Sequence, residues 1–592
     1  MVWAGRDVFA PCLLWQKQGR VVLQGQKRAP AWRSWLTLAG LCIPVASAVA
    51  QVADTATQEI LRQQERERAL REQQASRPNV RLPVPEKAVE DRIPADETPC
   101  FAIQHIRMDG DDASQFQWAL KAADAPHDPA TGRCLGTQGI NVVMKRIQNA
   151  IVARGYVTTR VLAKPQDLHG GVLALTVVPG RIRAIRFAPG VDARATSWRD
   201  ALPARPGDLL NLRDIEQALE NFKRVPTADA DIKIAPADGD AQAGESDLVI
   251  EWKQSSPMRL ALSLDDSGSD ATGKLQGGAT LSLDNLLTWN DLFYANLGQD
   301  VLNGDRKGTR SYTVHYDVPY GYWQLGATAS SYAYHQTVAG YQQSYVYSGT
   351  SHNADARLSR LLYRNATLKW GAYVRAWERD SNNFVDDTEV LVQRRRQGGW
   401  EAGFTYRQFI GAATLDANAA YRRGTGAFNA LHAPEEAFGD GTSRTKLITA
   451  DATFTVPFQL GSQRFRYIGS WRAQWNQTPL VPQDRFAIGG RYTVRGFDGE
   501  LSLTGDRGWL WRNDLGWSVG AGQELYLGAD VGHVSGPPTQ WELGQTLAGA
   551  VLGLRGGWRG FSWDAFVGAP ISKPHGFQSD NPTTGFTLSW SY

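Results

Sequence analysis

Gly516–Gly520 is one of two stretches in this 592-residue sequence with a spacing known from enzymes. Its residues, Gly-Trp-Ser-Val-Gly, match a nucleophile elbow, which needs a strand, a sharp turn and then a helix to expose its serine. Here the surrounding residues alternate between apolar and polar like a strand, and no helical spacing follows. We therefore attribute the match to chance.

Gly268–Lys274 has most of the residues of a phosphate-binding loop, but Leu275 stands where a serine or threonine would bind magnesium. His105, His127 and His169 are scattered without the spacing of metal ligands. The sequence thus predicts no catalytic residue, no metal site and no cofactor, and we do not expect an enzyme.

The first 50 residues have the pattern of a signal peptide. Basic residues between Lys27 and Arg33 precede an apolar run over Trp35–Val45, and the small residues of Ala48–Ala50 offer a cleavage site. We therefore predict that residues 1–50 are removed from an exported chain.

Cleavage of the signal peptide would decide which cysteines remain in the exported chain. Cys12 and Cys42 would be removed, and Cys100 and Cys134 would remain. An even pair in an exported chain predicts one disulfide, which would add about 3 kcal/mol by constraining the unfolded chain. Two free thiols are the alternative, which an oxidising compartment disfavours.

Two segments without a core follow the signal peptide. Within residues 51–74, the part from residue 53 is predicted to be helical, with opposite charges spaced as in Glu67 and Arg71. A helix that is polar all round must be solvated or lie in a watery cavity, unless it is a disordered tail. Residues 75–98 contain several prolines and charges of both signs, which predicts an extended linker.

Two small α+β units are predicted next, over residues 99–179 and 180–254. In each unit, apolar residues three and four apart indicate one helix between stretches that alternate like strands. The helix residues are Ile140, Val143, Ile147 and Ile151 in the first unit and Leu212, Ile215, Leu219 and Phe222 in the second. Asn211 and Asp214 are expected to cap the second helix.

Residues 255–592 have a different pattern. Segments of about ten residues alternate between apolar and polar, separated by glycine, asparagine and aspartate, as in a membrane β-barrel. The alternative is a secreted all-β protein, which would bury the apolar set. In Phe465–Trp475 the intervening residues include Arg466, Arg472 and Gln474, which suit a water-filled lumen better than a second protein layer. About 21 residues per strand predict about 16 strands.

Bulk properties agree with a barrel. The net charge of +3 gives no indication of nucleic-acid binding, and the 59 glycines and 21 tryptophans suit turns and aromatic girdles. After cleavage there is no apolar run long enough for a transmembrane helix. The last strand ends on Phe586, Leu588, Trp590 and Tyr592, which resembles the terminal signal read by the outer-membrane assembly machinery.

The order of these parts resembles the two-partner secretion transporters, which export haemolysins and filamentous haemagglutinin. Three stretches carry the resemblance: Cys100–Gly136 for a first POTRA domain, Leu212–Asn221 for a second, and Leu264–Gly268 for the first barrel hairpin. The family implies a plug helix at residues 51–74, POTRA domains at 99–179 and 180–254, and a 16-stranded transmembrane antiparallel barrel at 255–592.

The resemblance also assigns two motifs. Val494, Arg495, Gly496 and Phe497 match the tetrapeptide at the tip of a long loop that folds back into the barrel. Gly528 and Asp530, within Leu527–Asp530, resemble the partner motif on the inner wall. By this resemblance Arg495 contacts Asp530, and a guanidinium–carboxylate pair in a wet lumen would fix the position of the loop more than it adds stability.

The function that the resemblance implies is export of a large exoprotein to the cell surface or medium, recognised in the periplasm through its N-terminal secretion domain. Activation of the exoprotein is a second role that the family name suggests. The expected location is the outer membrane of a Gram-negative bacterium, with the POTRA domains in the periplasm. The other expected partners are outer-membrane lipid and the assembly machinery, with no nucleic acid, and the transporter should be a monomer. The alternatives are an outer-membrane protein insertase of the same superfamily, or a porin or uptake channel.

Overall fold

The protein is described here from a computed structural model. The described residues are 56–74, 78–83, 92–238, 242–304, 306–340, 343–520 and 522–592, so the predicted signal peptide lies outside them. Within these ranges, no helix is both long and apolar enough to span a membrane. The described residues form a helix, two α+β units and one closed barrel.

The first α+β unit has a three-stranded sheet in the order β2-β5-β4, with helix α3 packed against it. Its elements are β1 Phe101–Ile103, β2 His105–Asp109, α2 Ala113–Phe116, β3 Arg133–Leu135, α3 Thr137–Ala153, β4 Arg160–Leu162 and β5 Val172–Val178. Residues 56–74, which precede this unit, form helix α1. Val143, Ile147 and Ile151 of α3 are fully buried, as their spacing predicted. Cys100 and Cys134 form a disulfide beside the β1–β3 pair, with their Cα atoms 5.3 Å apart.

The second unit repeats this plan with the sheet order β6-β8-β7. Its elements are β6 Arg181–Phe187, α4 Trp198–Ala201, α5 Leu212–Phe222, β7 Ala228–Pro236 and β8 Glu245–Gln254. The Asn211 side chain caps α5 by accepting the Arg213 N–H, as expected. Asp214 does not complete the cap, because its carboxylate instead accepts the Tyr322 hydroxyl from the barrel at 2.5 Å.

Sixteen antiparallel strands and one two-residue strand, β16, close the barrel, which confirms the predicted fold class. The strands are β9 Met258–Asp265, β10 Gln276–Asp284, β11 Leu292–Asp300, β12 Lys307–Tyr320, β13 Trp323–Ala339, β14 Ser344–Arg364, β15 Leu368–Val385, β16 Thr388–Glu389, β17 Arg395–Ile410, β18 Ala413–Thr425, β19 Lys446–Leu460, β20 Gln463–Asn476, β23 Arg507–Gly520, β24 Gln523–Ser535, β25 Thr546–Trp558, β26 Phe561–Ser572 and β27 Thr583–Ser591. Closure comes from β27 pairing with β9. The short strands β21 Phe486–Ile488 and β22 Leu503–Gly505 pair with each other in the connection between β20 and β23.

The two faces of β20 show which side of the barrel is the lumen. Trp475 lies on the outer face and keeps 42% of its surface exposed. Arg472, on the opposite face, donates two hydrogen bonds of 2.6 and 2.9 Å to the carboxylate of Glu65 in α1. The polar positions of the alternating pattern therefore face inward, as the sequence predicted.

Helix α1 contacts inward-facing residues on several sides of the barrel. Glu59 is 1% exposed and accepts hydrogen bonds from Tyr332 on β13 and from Ser269 in the β9–β10 turn, at 2.8 and 2.7 Å. Arg68 and Arg71 lie 3.7 and 3.9 Å from carboxylates on β19 and β14. These partners surround the helix, so residues 56–74 lie inside the lumen.

The described parts of the expected linker are bound rather than free. The Val80 and Leu82 N–H groups donate to Glu220 and Glu216 of α5 at 3.0 and 2.9 Å. Further along, Glu97 accepts backbone N–H groups at the start of α3, and Ile93 is buried in the core of the first unit. Both pieces therefore extend the α+β units beyond the segments that alternate in sequence.

Candidate functional site

Residues 477–506, between β20 and β23, fold back into the barrel; we call this segment the inner loop. Its apolar residues make a small core with the barrel wall and the connection after β26. The buried members are Phe486, Ile488, Val494, Phe497, Leu503, Leu510, Val534, Leu547 and Phe577. The Phe497 ring packs edge-on against Phe577 with centroids 5.6 Å apart. This core gives the tip of the inner loop a defined position on the wall.

Arg495 is buried against β24, and only 4% of its surface is exposed. Its Nε and Nη2 atoms donate to the two carboxylate oxygens of Asp530 at 2.7 and 2.8 Å, a planar fork that only arginine can provide. The backbone N–H of Arg495 also donates to Asp530, at 3.0 Å. The structure thus brings together the two residues that the family resemblance paired.

A second carboxylate at this site was missed by the sequence analysis. Asp514 on β23 accepts a 2.5 Å hydrogen bond from Nη2 of Arg495. Arg512, two residues earlier on the same face, lies directly opposite Asp530, and its Nε is 3.8 Å from that carboxylate. The period-two pattern of Arg512 and Asp514 was the available signal, because it places both side chains on the lumen face beside β24.

The barrel wall has glycine residues where the tip of the inner loop contacts it. A Cβ atom added to Gly549 would lie 2.0 Å from the Arg495 carbonyl oxygen, and one added to Gly528 would lie 2.7 Å from its Nη2. Gly496 has a φ of +93°, and a Cβ there would lie 2.5 Å from the Ala569 carbonyl oxygen. The loop backbone can therefore approach the wall only where side chains are absent on both sides.

The inner loop also contacts α1. Nη2 of Arg62 donates to the Gly499 carbonyl oxygen at 2.7 Å, and the Gln64 amide donates to the Gln483 carbonyl oxygen at 3.2 Å. Both partners lie on the inner loop, one near each end. The two lumen segments are therefore bound to each other as well as to the wall.

The two enzyme-like stretches have no such surroundings. Gly516–Gly520 lies wholly within β23, and the next described element is the strand β24, which begins at Gln523, rather than a helix. Gly268–Lys274 lies in the turn between β9 and β10, where Ser269 contacts Glu59 of α1. Both stretches are thus parts of the barrel.

Comparison with known families agrees with the geometry. The haemolysin secretion/activation protein family ShlB/FhaC/HecB matches residues 244–556. A POTRA domain of the ShlB type matches residues 101–180, and a second POTRA model matches 181–236. These matches cover the two α+β units, which we now call POTRA 1 and POTRA 2, and most of the barrel.

Two transporters and one solved structure are among the proteins similar to this chain. An outer membrane transporter, CdiB-2 of Burkholderia pseudomallei, is 38% identical over 544 residues, covering 89% of this chain and 92% of the relative. The haemolysin transporter ShlB of Serratia marcescens is 24% identical over 422 residues, covering 68% of this chain and 71% of the relative. The solved structure of CdiB from Acinetobacter baumannii has a TM-score of 0.80 and 31% identity, covering 91% of this chain and 99% of that one.

A closed sixteen-stranded barrel with two POTRA domains before it defines an outer-membrane transporter of the two-partner secretion class, with its POTRA domains in the periplasm. More particularly, the chain belongs to the haemolysin secretion/activation protein family ShlB/FhaC/HecB. Transporters of this class pair with a large exoprotein. The insertase and porin alternatives are therefore set aside.

Proposed function

We propose that the exoprotein passes through the barrel lumen and that α1 and the inner loop together close this path at rest. The observation that carries the proposal is that both segments lie in the lumen, where hydrogen bonds join them to each other and where hydrogen bonds and ion pairs join α1 to the wall. The Arg472–Glu65 pair between the wall and α1 is partly exposed, with 19% and 25% of the two side chains accessible. Partly exposed ion pairs contribute on the order of 1 kcal/mol or less each, so α1 can be displaced. No catalytic step is part of this function.

Deletion of residues 56–74 is expected to raise the ion conductance of the transporter in planar bilayers, because it removes the segment that fills the lumen. A sharper variant is Glu65→Ala, which removes the partner of Arg472 and should raise the frequency of open events. Glu72→Ala is the matched control, because this carboxylate is 58% exposed and bonds only Arg68 within α1 among its described ion pairs. Unchanged conductance in the deletion variant would contradict the plug.

We further propose that the N-terminal secretion domain of the exoprotein adds a strand to the open edge of β7 in POTRA 2. The Thr227 carbonyl oxygen accepts from the Ser255 N–H of the facing chain. Because hydrogen-bonded pairs recur at every second residue of an antiparallel pair, positions 229, 231 and 233 also direct their backbone groups toward β8. The N–H groups of positions 230, 232 and 234 then point away from the sheet. The Ile232 N–H donates to the adjacent Asp231 carboxylate at 2.9 Å, so an added strand would pair with the N–H groups of Ala230 and Ile234. An edge of this type is where extended peptides add to a sheet.

Ile234→Pro is expected to weaken binding of a purified secretion domain to the full-length transporter by about tenfold, because proline removes one outward N–H group. Ile234→Ala is the control, since it removes the side chain and keeps the N–H group. If the two variants bind equally well in a titration, the edge of β7 is not the docking site.

The remaining partners follow from surfaces already described. We propose that outer-membrane lipid covers the apolar outer face of the barrel and that the assembly machinery binds β27 and Tyr592 during insertion. We also propose that the transporter acts as a monomer, because β27 pairs with β9 and closes the barrel within a single chain. The cargo is delivered unfolded and folds outside, which would make transport directional without nucleotide.

A further inference from the structure

The junction of β9 and β27, which we call the seam, is incomplete at one end. Its register runs from Ser591 paired with Ala261 to Thr587 paired with Asp265, where β9 ends. Strand β27 continues for four more residues, Thr583–Phe586, which pair with β26. At this end of the barrel, opposite the POTRA domains, residues 583–586 of β27 pair with β26 alone among the described strands.

Side chains take over where the backbone ladder stops. The Asp266 carboxylate accepts the Phe586 N–H at 2.9 Å and a 2.7 Å hydrogen bond from Nη1 of Arg491. Nη2 of the same arginine donates to the Phe586 carbonyl oxygen at 3.1 Å and to the Thr587 hydroxyl at 2.9 Å. One guanidinium therefore bonds to both strands of the seam.

Arg491 belongs to the inner loop, four residues before Arg495. The segment between them is a tight turn. The Gly490 N–H donates to the Val494 carbonyl oxygen at 3.0 Å, and the Thr493 N–H donates to the Gly490 carbonyl oxygen at 3.1 Å. The turn joins an arginine bound to β23 and β24 to an arginine bound to the seam. A displacement of the loop tip must therefore break both sets of hydrogen bonds.

We propose that Arg491 is a positioning residue that holds the seam closed at its outer end, so that displacement of the inner loop and loosening of the seam are one event. This inference rests on the proposed function, in which the inner loop leaves the lumen during export. It assigns to the loop a second role besides closing the path: it completes the barrel wall.

A first experiment tests the seam without secretion. Amide hydrogen exchange of the full chain in detergent should be about tenfold faster at residues 583–587 in Arg491→Gln than in the wild type, because the side-chain bridge is lost. Arg485→Gln is the matched control, since Arg485 lies on the same loop and pairs at 3.7 Å with Asp506, which is bonded by Gln474 and Asn476 of β20 rather than by the seam. Equal exchange in the two variants would overturn the proposal.

A second experiment locks the seam during export. Leu260 and Tyr592 exchange both backbone hydrogen bonds, so Ser263 and Ser589 form a non-hydrogen-bonded pair, whose side chains are close enough for a disulfide. Oxidised S263C/S589C is expected to secrete a co-expressed exoprotein at least about tenfold less than wild type, with recovery on reduction. S562C/S589C, which joins β27 to β26 instead, is the control and should secrete normally.

The outcomes separate the two proposals. Normal secretion by the oxidised S263C/S589C protein would show that the seam stays closed and would overturn the role of Arg491. Failure of the wild type to secrete would count against the proposed function, while the exchange experiment would still decide the contacts of Arg491.

Discussion

At the scale of single residues, the position of the inner loop depends on Arg495. The side chain lies between two carboxylates, of which Asp530 has no exposed side-chain surface and Asp514 has 14%. Removing the guanidinium would leave a buried carboxylate without its charged partner, which typically costs 3–5 kcal/mol. That cost falls on the docked loop, because the backbone pairing of the barrel strands does not involve the Arg495 side chain.

Without Arg495 the tip of the inner loop would have no fixed position on the wall and would obstruct the lumen. Arg495→Ala is therefore expected to abolish secretion of a co-expressed exoprotein while the barrel still inserts, as measured by its heat-dependent mobility in gels. Arg495→Lys should secrete at an intermediate level, because it restores the charge without the planar fork. Arg485→Ala serves as the control on the same loop. Normal secretion by Arg495→Ala would contradict the assigned role.

At the scale of elements, POTRA 1 depends on a charged cluster that the sequence pattern did not indicate. Asp128 accepts the Ile93 N–H at 2.9 Å and a 2.5 Å hydrogen bond from Arg146, whose exposure is only 5%. The Ile93 N–H, with further contributions from Arg146 and Arg133, lowers the pKa of Asp128 below its ordinary value of 3.8. The cluster ties residue 93 of the expected linker to helix α3.

Asp128→Asn is expected to destabilise POTRA 1 by roughly 1–3 kcal/mol at neutral pH, because Arg146 loses its charged acceptor. Since the folded pKa of Asp128 is below the unfolded one, its contribution is complete above about pH 4 and is lost as the pH falls through the folded value. Hydrogen exchange of α3 in the full chain, corrected for intrinsic rates, should be faster in Asp128→Asn than in the wild type at pH 7. The two proteins should exchange equally at a pH below the folded pKa of Asp128.

Asp109→Asn, which changes an exposed carboxylate of the same domain, is the control for this experiment. A difference between wild type and Asp128→Asn that stays constant across the acid range would argue against the titration of Asp128 as its cause.

Much of this element structure could be predicted from local pattern. The faces of α3 and α5 and the alternation of β20 follow from apolar spacing, because burial on one side is a local property of the chain. The contact of Val80 with α5 could not be predicted in this way, because its partners lie about 140 residues away and the segment has no periodicity. Asp214 fits a cap by spacing but is bonded by Tyr322, a contact that only the tertiary fold creates.

At the scale of the whole molecule, a buried junction joins POTRA 2 to the barrel. Nε of Arg364, at the end of β14, donates to Glu216 of α5 at 2.9 Å, and the two side chains are 2% and 0% exposed. Nη2 of Arg364 also donates to the Val80 carbonyl oxygen at 2.6 Å. The periplasmic domain, the barrel and the segment after α1 therefore meet at one arginine.

Glu216→Gln and Arg364→Met are each expected to loosen this junction, seen as faster hydrogen exchange in α5 and reduced secretion. The double variant should recover part of the loss, because both buried charges are removed together. Lys233→Met is the control, since Lys233 and Glu251 form an exposed pair on the same domain. Strictly additive effects in the double-mutant cycle would contradict a direct coupling of Arg364 and Glu216.

The unequal strands of the barrel have a consequence for the bilayer around it. Strand β9 has 8 residues and β14 has 21, which correspond to lengths of about 26 Å and 70 Å. With the usual tilt of about 40°, β9 rises only about 20 Å, less than the roughly 30 Å of a typical hydrocarbon core. Lipids beside β9 must therefore shorten or tilt, so the protein should carry a thinned patch of membrane along one side of its circumference.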